Sequence, residues 1–173
     1  VEAGATAKAV SRNPVDKAWK GRPRQPMAQV VPHDISFAGE SAADKRERLG
    51  AELKKRGVDA ALITAPHSLA WLFNIRGGDV RCSPLPLGRA ILRSNGEADL
   101  FIASKKIDDD VRAHLGNQVA VHDIADLPKA LTALKGQKVQ ADPATASEWF
   151  FTTLKRAKAD VVPANDICAL PKA

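Results

Sequence analysis

The rhythm of hydrophobic and polar positions changes at Ser41. From there to Gly57, "SAADKRERLGAELKKRG" puts Ala42, Leu49, Leu53 and the stem of Lys45 near one face of a helix, with charge over the rest. Ser41 is placed to cap this helix, Asp44 follows three residues on, and Gly57 stops it. "VDAALITA" is an apolar run of strand length, the pattern of a strand buried on both faces. "HSLAWLFNI" predicts a short helix, and "RGGD" a turn. "RAILRS" and "ADLFIA" flank "NGE", where Asn95-Gly96 predicts a hairpin with a type I′ turn.

The second half alternates more regularly. "SKKIDDDVRAHLG" predicts a helix capped by Ser104 and ended by Gly116, and "QVAVHD" predicts a strand. "IADLPKALTALKG" reads as a helix with Pro128 in its first turn, then "KVQAD" as a strand. "TASEWFFTTLKRAKA" is amphipathic, with Trp149, Phe150, Leu154 and Ala157 on one face. "DVVPA" is a last strand, and "NDICALPKA" begins a further element. The alternation implies an α/β fold, a mixed β-sheet flanked by helices.

Residues 1 to about 36 break this pattern. "NPVDKAWKGRPRQP" and "VVPHD" are rich in proline, which removes backbone donors and rules out a long helix or a central strand. Yet Trp19, Met27, Val30 and Val31 lie here, so the expectation is an extended strap against a folded body.

Composition then narrows the classes. No apolar run is long enough to span a membrane, and Val1 to Val10 has no signal-peptide core and no starting Met, the expectation for a fragment. Cys82 and Cys168 share no motif and read as free thiols of a reducing, cytoplasmic compartment. The net charge of +6 raises nucleic-acid binding. However, the excess gathers in Arg12, Lys17, Lys20, Arg22 and Arg24 of the proline-broken segment, and elsewhere bases mix with acids, as in "DKRER" and "KKIDDD". Apart from Trp19 in that segment, the few aromatics sit in apolar runs and do not interleave with Arg and Lys as stacking platforms, so the reading is a solvated face plus a basic linker, without nucleic acid or membrane as partner.

Candidate chemistry is sparse. His33, His67, His114 and His122 are scattered; His122-Asp123 would point to opposite faces of a strand. Asp108-Asp109-Asp110 lacks the spacing of a calcium loop and suits a helix start. Gly77-Gly78 alone is weak evidence for phosphate binding, and Arg76 and Asp79 are candidates to pair with each other or to hold the turn. The residues form no complete active site.

Three stretches together, "FAGESAADKRERL", "ALITAPHSLAWLFNIRGGDV" and "PLPLGRAIL", resemble the second domain of three-domain Xaa-Pro aminopeptidases of the creatinase/prolidase superfamily. The resemblance covers residues 10 to 173. It implies a creatinase/prolidase N-terminal-like α/β domain at residues 39–164. Residues 1–38 would be an interdomain strap and the end of a preceding domain, and 165–173 the start of a linker. Catalysis would belong to a further domain outside this chain, where two divalent metal ions, manganese in the family, generate a metal-bound hydroxide. This chain would carry no catalytic residue, no metal ligand and no cofactor. Its partners would be that catalytic domain, short peptides with proline at position two, and a second copy in a homodimer.

"AWLFNIRGGD" looks like the W-L-x-N-x-R-G-x-D stretch of the family, which makes Trp71, Asn74, Arg76 and Asp79 the substrate-access candidates. The structural alternative is that Trp71, Leu72 and Phe73 are core and that Arg76 and Asp79 hold the turn. The chain departs from the family pattern at Cys82 and Arg89, where a His and an aromatic are expected. Two rival readings stand beside the resemblance: a basic nucleotide- or nucleic-acid-binding module, and a pure protein-interaction domain built on the apolar Trp71 region.

Overall fold

The computed structural model describes Gly4, Thr6, Val10 and residues 13–172; Arg12 of the basic segment lies outside the described residues. In chain order the elements are α1 (Pro14–Ala18), β1 (Val30–Pro32), α2 (Ile35–Ala38), α3 (Ala42–Lys55), β2 (Ala60–Ile63), α4 (Pro66–Leu72), β3 (Ile75–Gly77), β4 (Arg89–Arg93) and β5 (Ala98–Phe101). Then follow α5 (Asp109–Leu115), β6 (Val119–His122), α6 (Leu127–Ala133), β7 (Lys138–Ala141), α7 (Glu148–Arg156), β8 (Asp160–Pro163) and α8 (Ala169–Lys172).

Six strands form one mixed sheet in the order β6-β5-β4-β2-β7-β8. β2, buried at all four positions, lies between antiparallel β4 and parallel β7, and the half-exposed β8 takes the edge. β4 and β5 are antiparallel; β5 and β6 are parallel. Alternation along the strands sends side chains to two cores. Ala61, Ile63, Ala90, Leu92 and Leu100 meet Leu49 and Leu53 of α3, Leu69 and Leu72 of α4, and Val111 and Leu115 of α5. Ala60, Leu62, Ile91, Phe101 and Val139 meet Leu127 and Leu131 of α6 and Phe150 and Leu154 of α7. Each fully buried Leu or Ile contributes about 1.5–3 kcal/mol, so helices on both faces hold the sheet. The α/β architecture expected from the sequence is the one observed.

The α3 helix forms as its sequence dictates. The Ser41 hydroxyl accepts from the Asp44 N–H at 3.0 Å. Midway, the helix rests on the β4–β5 hairpin so closely that a Cβ on Gly50 would lie 2.7 Å from the Gly96 nitrogen.

That hairpin turns differently from expectation. Among the two central residues only Gly96 has positive φ, at 85°, and Asn95 does not. Arg93 N–H bonds to Glu97 O at 2.8 Å, Gly96 N–H to Arg93 O at 3.0 Å, and the Asn95 side chain accepts from Glu97 N–H at 3.0 Å. The loop therefore has three residues, Ser94 to Gly96, in place of a type I′ turn. One left-handed residue closes it, and that residue is the glycine.

Three further expectations need correction: first, Arg76 and Gly77 of "RGGD", expected in a turn, lie in β3 and pair with Val31 and Val30 of β1. The helix expected from Ser104 begins at Asp109, because Asp108 takes the cap and accepts from Val111 N–H at 2.9 Å. Ser104 instead opens a 3₁₀ turn to Lys106 and donates to Asp123. On α7, Phe150 and Leu154 are buried, but Trp149 is 46% exposed and only its edge meets Phe150. One residue is about 100° of helix, which turns Trp149 off the core face.

Gln25 borders a cavity with Leu87, Arg89 and Phe150, and the strap is tied to the body by hydrogen bonds from Ala28 onward. β1 pairs antiparallel with β3, Val30 is fully buried, and Gln29 Nε2 donates to Lys105 O at 2.9 Å. Farther back, α1 buries nothing, Trp19 and Met27 are exposed, and Asp16 pairs with Arg22 at the surface. At the other end Ile167 and Cys168 enter the first core, and Lys172 Nζ donates to Ser68 Oγ at 3.1 Å.

Candidate functional site

The stretch from Ala70 to Val80 runs from α4 into β3 and the turn beyond. Pro66 starts α4, where its missing N–H costs nothing. Asn74 ends it with φ +48°, a left-handed conformation that Asn tolerates better than most residues. All the polar groups of Asn74 are engaged. Its Nδ2 donates to Glu40 O at 2.8 Å, its Oδ1 accepts from Lys45 Nζ at 2.6 Å, and its backbone O accepts from His33 N–H at 2.8 Å.

Lys45 joins Asn74 to Trp71. Its ammonium also donates to Trp71 O at 3.2 Å and stands 4.6 Å from the indole centroid, a cation–π contact. Burial pulls the Lys45 pKa down, with Glu40 opposing. Leu72 and Phe73 are fully buried, while Trp71 is half-buried against the same core.

Arg76 and Asp79 do not pair with each other. Arg76 Nη1 donates to Ile75 O at 2.9 Å, and the side chain lies along an open groove of about 520 Å³ with Gln29, Gly78 and Cys82. Burial lowers its pKa. Asp79 turns inward and binds three donors: Lys106 Nζ, Leu87 N–H at 2.7 Å and Ala28 N–H at 3.2 Å. It thereby ties the strap, the loop before β4 and the 3₁₀ turn together. Gly77 is required beside it, since a Cβ there would lie 2.9 Å from Pro86 Cβ.

Trp71 and Asn74 are thus brought together through Lys45, Arg76 reaches the backbone of α4 at Ala70 O at 3.4 Å, and Asp79 serves a separate knot. Lys45, Arg46 and Lys106 are buried, and the sequence pattern assigned Arg46 and Lys106 to solvated charge. Only Lys45 carried a signal, its place on the apolar face of α3. His122 likewise meets a carboxylate that its own strand does not supply, Asp99 Oδ1 at 3.0 Å across β5–β6.

Among the described residues no cluster of three or more His, Cys, Asp or Glu could hold a metal ion, so the residues present do not fit a metal pair. Among them, too, no helix is long and apolar enough to cross a membrane. The thiols of Cys82 and Cys168 are both free; Cys168 is buried, and burial pushes its pKa up.

Fold and site together define an α/β scaffold domain whose signature polar residues are spent largely on holding the chain together. The chain belongs to the creatinase/prolidase N-terminal domain family, which matches residues 21–173. It is 33% identical over 150 residues to the probable Xaa-Pro aminopeptidase P of Leptosphaeria maculans, covering 87% of this chain and 25% of that protein. It is 36% identical over 126 residues to aminopeptidase P1 of Arabidopsis thaliana, covering 72% of this chain and 19% of that one. The structure is similar to X-prolyl aminopeptidase from Caenorhabditis elegans, described as a cytosolic enzyme with a di-nuclear active site. The TM-score is 0.78 at 26% identity, covering 90% of this chain and 26% of that enzyme. The chain spans about a fifth to a quarter of the length of these relatives.

Proposed function

We propose that this chain is the non-catalytic auxiliary domain of a cytoplasmic, metal-dependent Xaa-Pro aminopeptidase, a hydrolase that removes an N-terminal residue preceding proline. The observation that carries this reading is the likeness to the C. elegans enzyme over nine-tenths of this chain and only a quarter of that one. The activity belongs to a catalytic domain outside these residues. Two divalent metal ions, with manganese as the expected metal, would be held by that domain's residues and would supply Lewis-acid chemistry there. A homodimer is the expected assembly of the whole enzyme, and short peptides with proline at position two are its substrates.

The domain's part is to shape access. Trp71 and Arg76 are the members of the matched stretch that stay partly accessible, Arg76 along an open groove. Asn74 and Asp79 support them from behind. The test is steady-state kinetics of the whole enzyme carrying Trp71→Ala or Arg76→Gln. A raised KM for proline-containing peptides with kcat little changed supports an access role. Kinetics identical to the parent's for both variants contradict it.

A further inference from the structure

We infer that the groove between the start of α3 and the end of α5 is a binding site for a small oxyanion of the carboxylate or phosphate class, with Arg46 as its principal ligand. The groove holds about 630 Å³, within the range of small-molecule sites, and its wall includes Ala42, Ala43, Arg46, Asn74, His114 and Gln118.

Arg46 is 3% exposed, yet among the described residues no carboxylate lies within 4.0 Å of its guanidinium. Its Nη1 donates to Ala42 O at 3.0 Å, and its Nε is enclosed without a hydrogen-bond partner. A buried guanidinium with an unfilled edge has lost its water without gaining a countercharge. Nε itself is closed to solvent, so an oxyanion in the groove that Arg46 lines would meet the guanidinium on its Nη side and supply the missing countercharge.

The setting is positive by construction. α3 is 14 residues long, and its first turn opens onto the groove. Ser41 Oγ occupies the Asp44 N–H, which leaves Ala42 and Ala43 N–H without intrahelical acceptors at the positive end of the dipole. Lys45, next to Arg46, is also buried, and its partners are the neutral Trp71 O and Asn74 Oδ1. Two buried cations in the second turn of a helix oppose the usual charge preference of its N-terminus. Burial pulls both pKa values down, and His33 on the wall is lowered by burial and by the charges of Arg76 and Lys45. A bound anion removes this unfavourable field.

The acidic neighbours do not fill the role. Asp34 also lines the groove, but its carboxylate caps α2 through Ser36 N–H at 2.8 Å. Glu40 is taken by Arg48 at 2.8 Å, and Asp44 is exposed. On the α5 side His114 Nε2 donates to Phe73 O at 2.9 Å, so that nitrogen carries the hydrogen. Asn117 and Gln118 complete the lining on that side.

The test is titration of the ¹⁵N-labelled chain with inorganic phosphate and, separately, acetate, at ionic strength held constant with sodium chloride. Saturable shifts at the Ala42, Ala43 and Gly116 to Gln118 amides with either anion are expected. Arg46→Met should weaken binding about tenfold, the loss of one charge-assisted contact. It should also leave the anion-free thermal midpoint equal or higher, since an unpaired buried charge is removed. Shifts no larger than the chloride control, or shifts centred elsewhere on the wild-type chain, overturn the proposal even if Arg46→Met does not fold. Undiminished binding by a folded Arg46→Met overturns it as well.

Discussion

Asp79 and Lys106 form an ion pair whose side chains are 0% and 1% exposed, 27 residues apart in sequence and sealed under the strap. The Asp79 carboxylate also receives the N–H groups of Ala28 and Leu87, so one buried charge fixes three segments that no regular element connects. Asp79 therefore has a structural duty in this chain.

Removing one partner of such a pair leaves the other charged and unsolvated. Lys106→Met is expected to cost about 3–5 kcal/mol in urea unfolding, and the double variant Asp79→Asn/Lys106→Met to recover part of that loss. Limited proteolysis between Gln25 and Gln29 should accelerate in Lys106→Met. A loss within about 1 kcal/mol would mean that the pair does not hold the strap.

Asn74 separates two effects at one position. Ala and Gly substitutions both delete the bonds to Lys45 and Glu40 O, but only Ala also meets the steric cost of φ +48°. Asn74→Gly should therefore be the more stable of the two by about 1 kcal/mol. Equal stabilities in parallel urea titrations would remove backbone conformation as the reason for Asn at the end of α4.

Gly50 reverses the usual helix rule. Ala at an exposed interior helix position gains about 1 kcal/mol over Gly. Here the added Cβ meets the backbone of Gly96 and Arg93 at 2.7 and 3.1 Å, and neither can swing aside. Gly50→Ala should lower stability by about 1–3 kcal/mol, read as a lower thermal midpoint. A raised midpoint would show that α3 and the hairpin are not in backbone contact.

The two thiols should differ in reactivity. Cys82 is exposed, whereas burial raises the Cys168 pKa and disfavours its thiolate, the reactive form. A disulfide reagent should label Cys82 alone in the native chain and both residues in denaturant. Native labelling of Cys168 at a comparable rate would contradict its place in the core.

Local signals in the sequence predicted local structure well. Ser41 capped α3, "AALI" formed a fully buried strand, and the alternation of strands and helices yielded the mixed sheet. Errors arose where two local signals competed. Asp108 displaced Ser104 as a cap, and the Asn95 side chain stabilised a longer turn than its dipeptide suggests. The site was far less legible. Lys106 and Arg46 sit in charge-rich stretches, "KKIDDD" and "DKRER", that have the composition of a solvated face. Their burial depends on segments tens of residues away, which periodicity does not encode. The matched stretch was found by resemblance, whereas of its partners only Lys45 was signalled, by its place on the apolar face of α3; Ala28 and Lys106 became visible only once the chain was folded.

The central claim is that this chain serves a proline-directed aminopeptidase without performing its chemistry. The direct measurement is hydrolysis of an Arg-Pro-Pro peptide by the purified 173-residue chain with added manganese, followed by release of free arginine. The account predicts no release above the manganese-only blank. Turnover above that blank, retained after repeated purification, would contradict it.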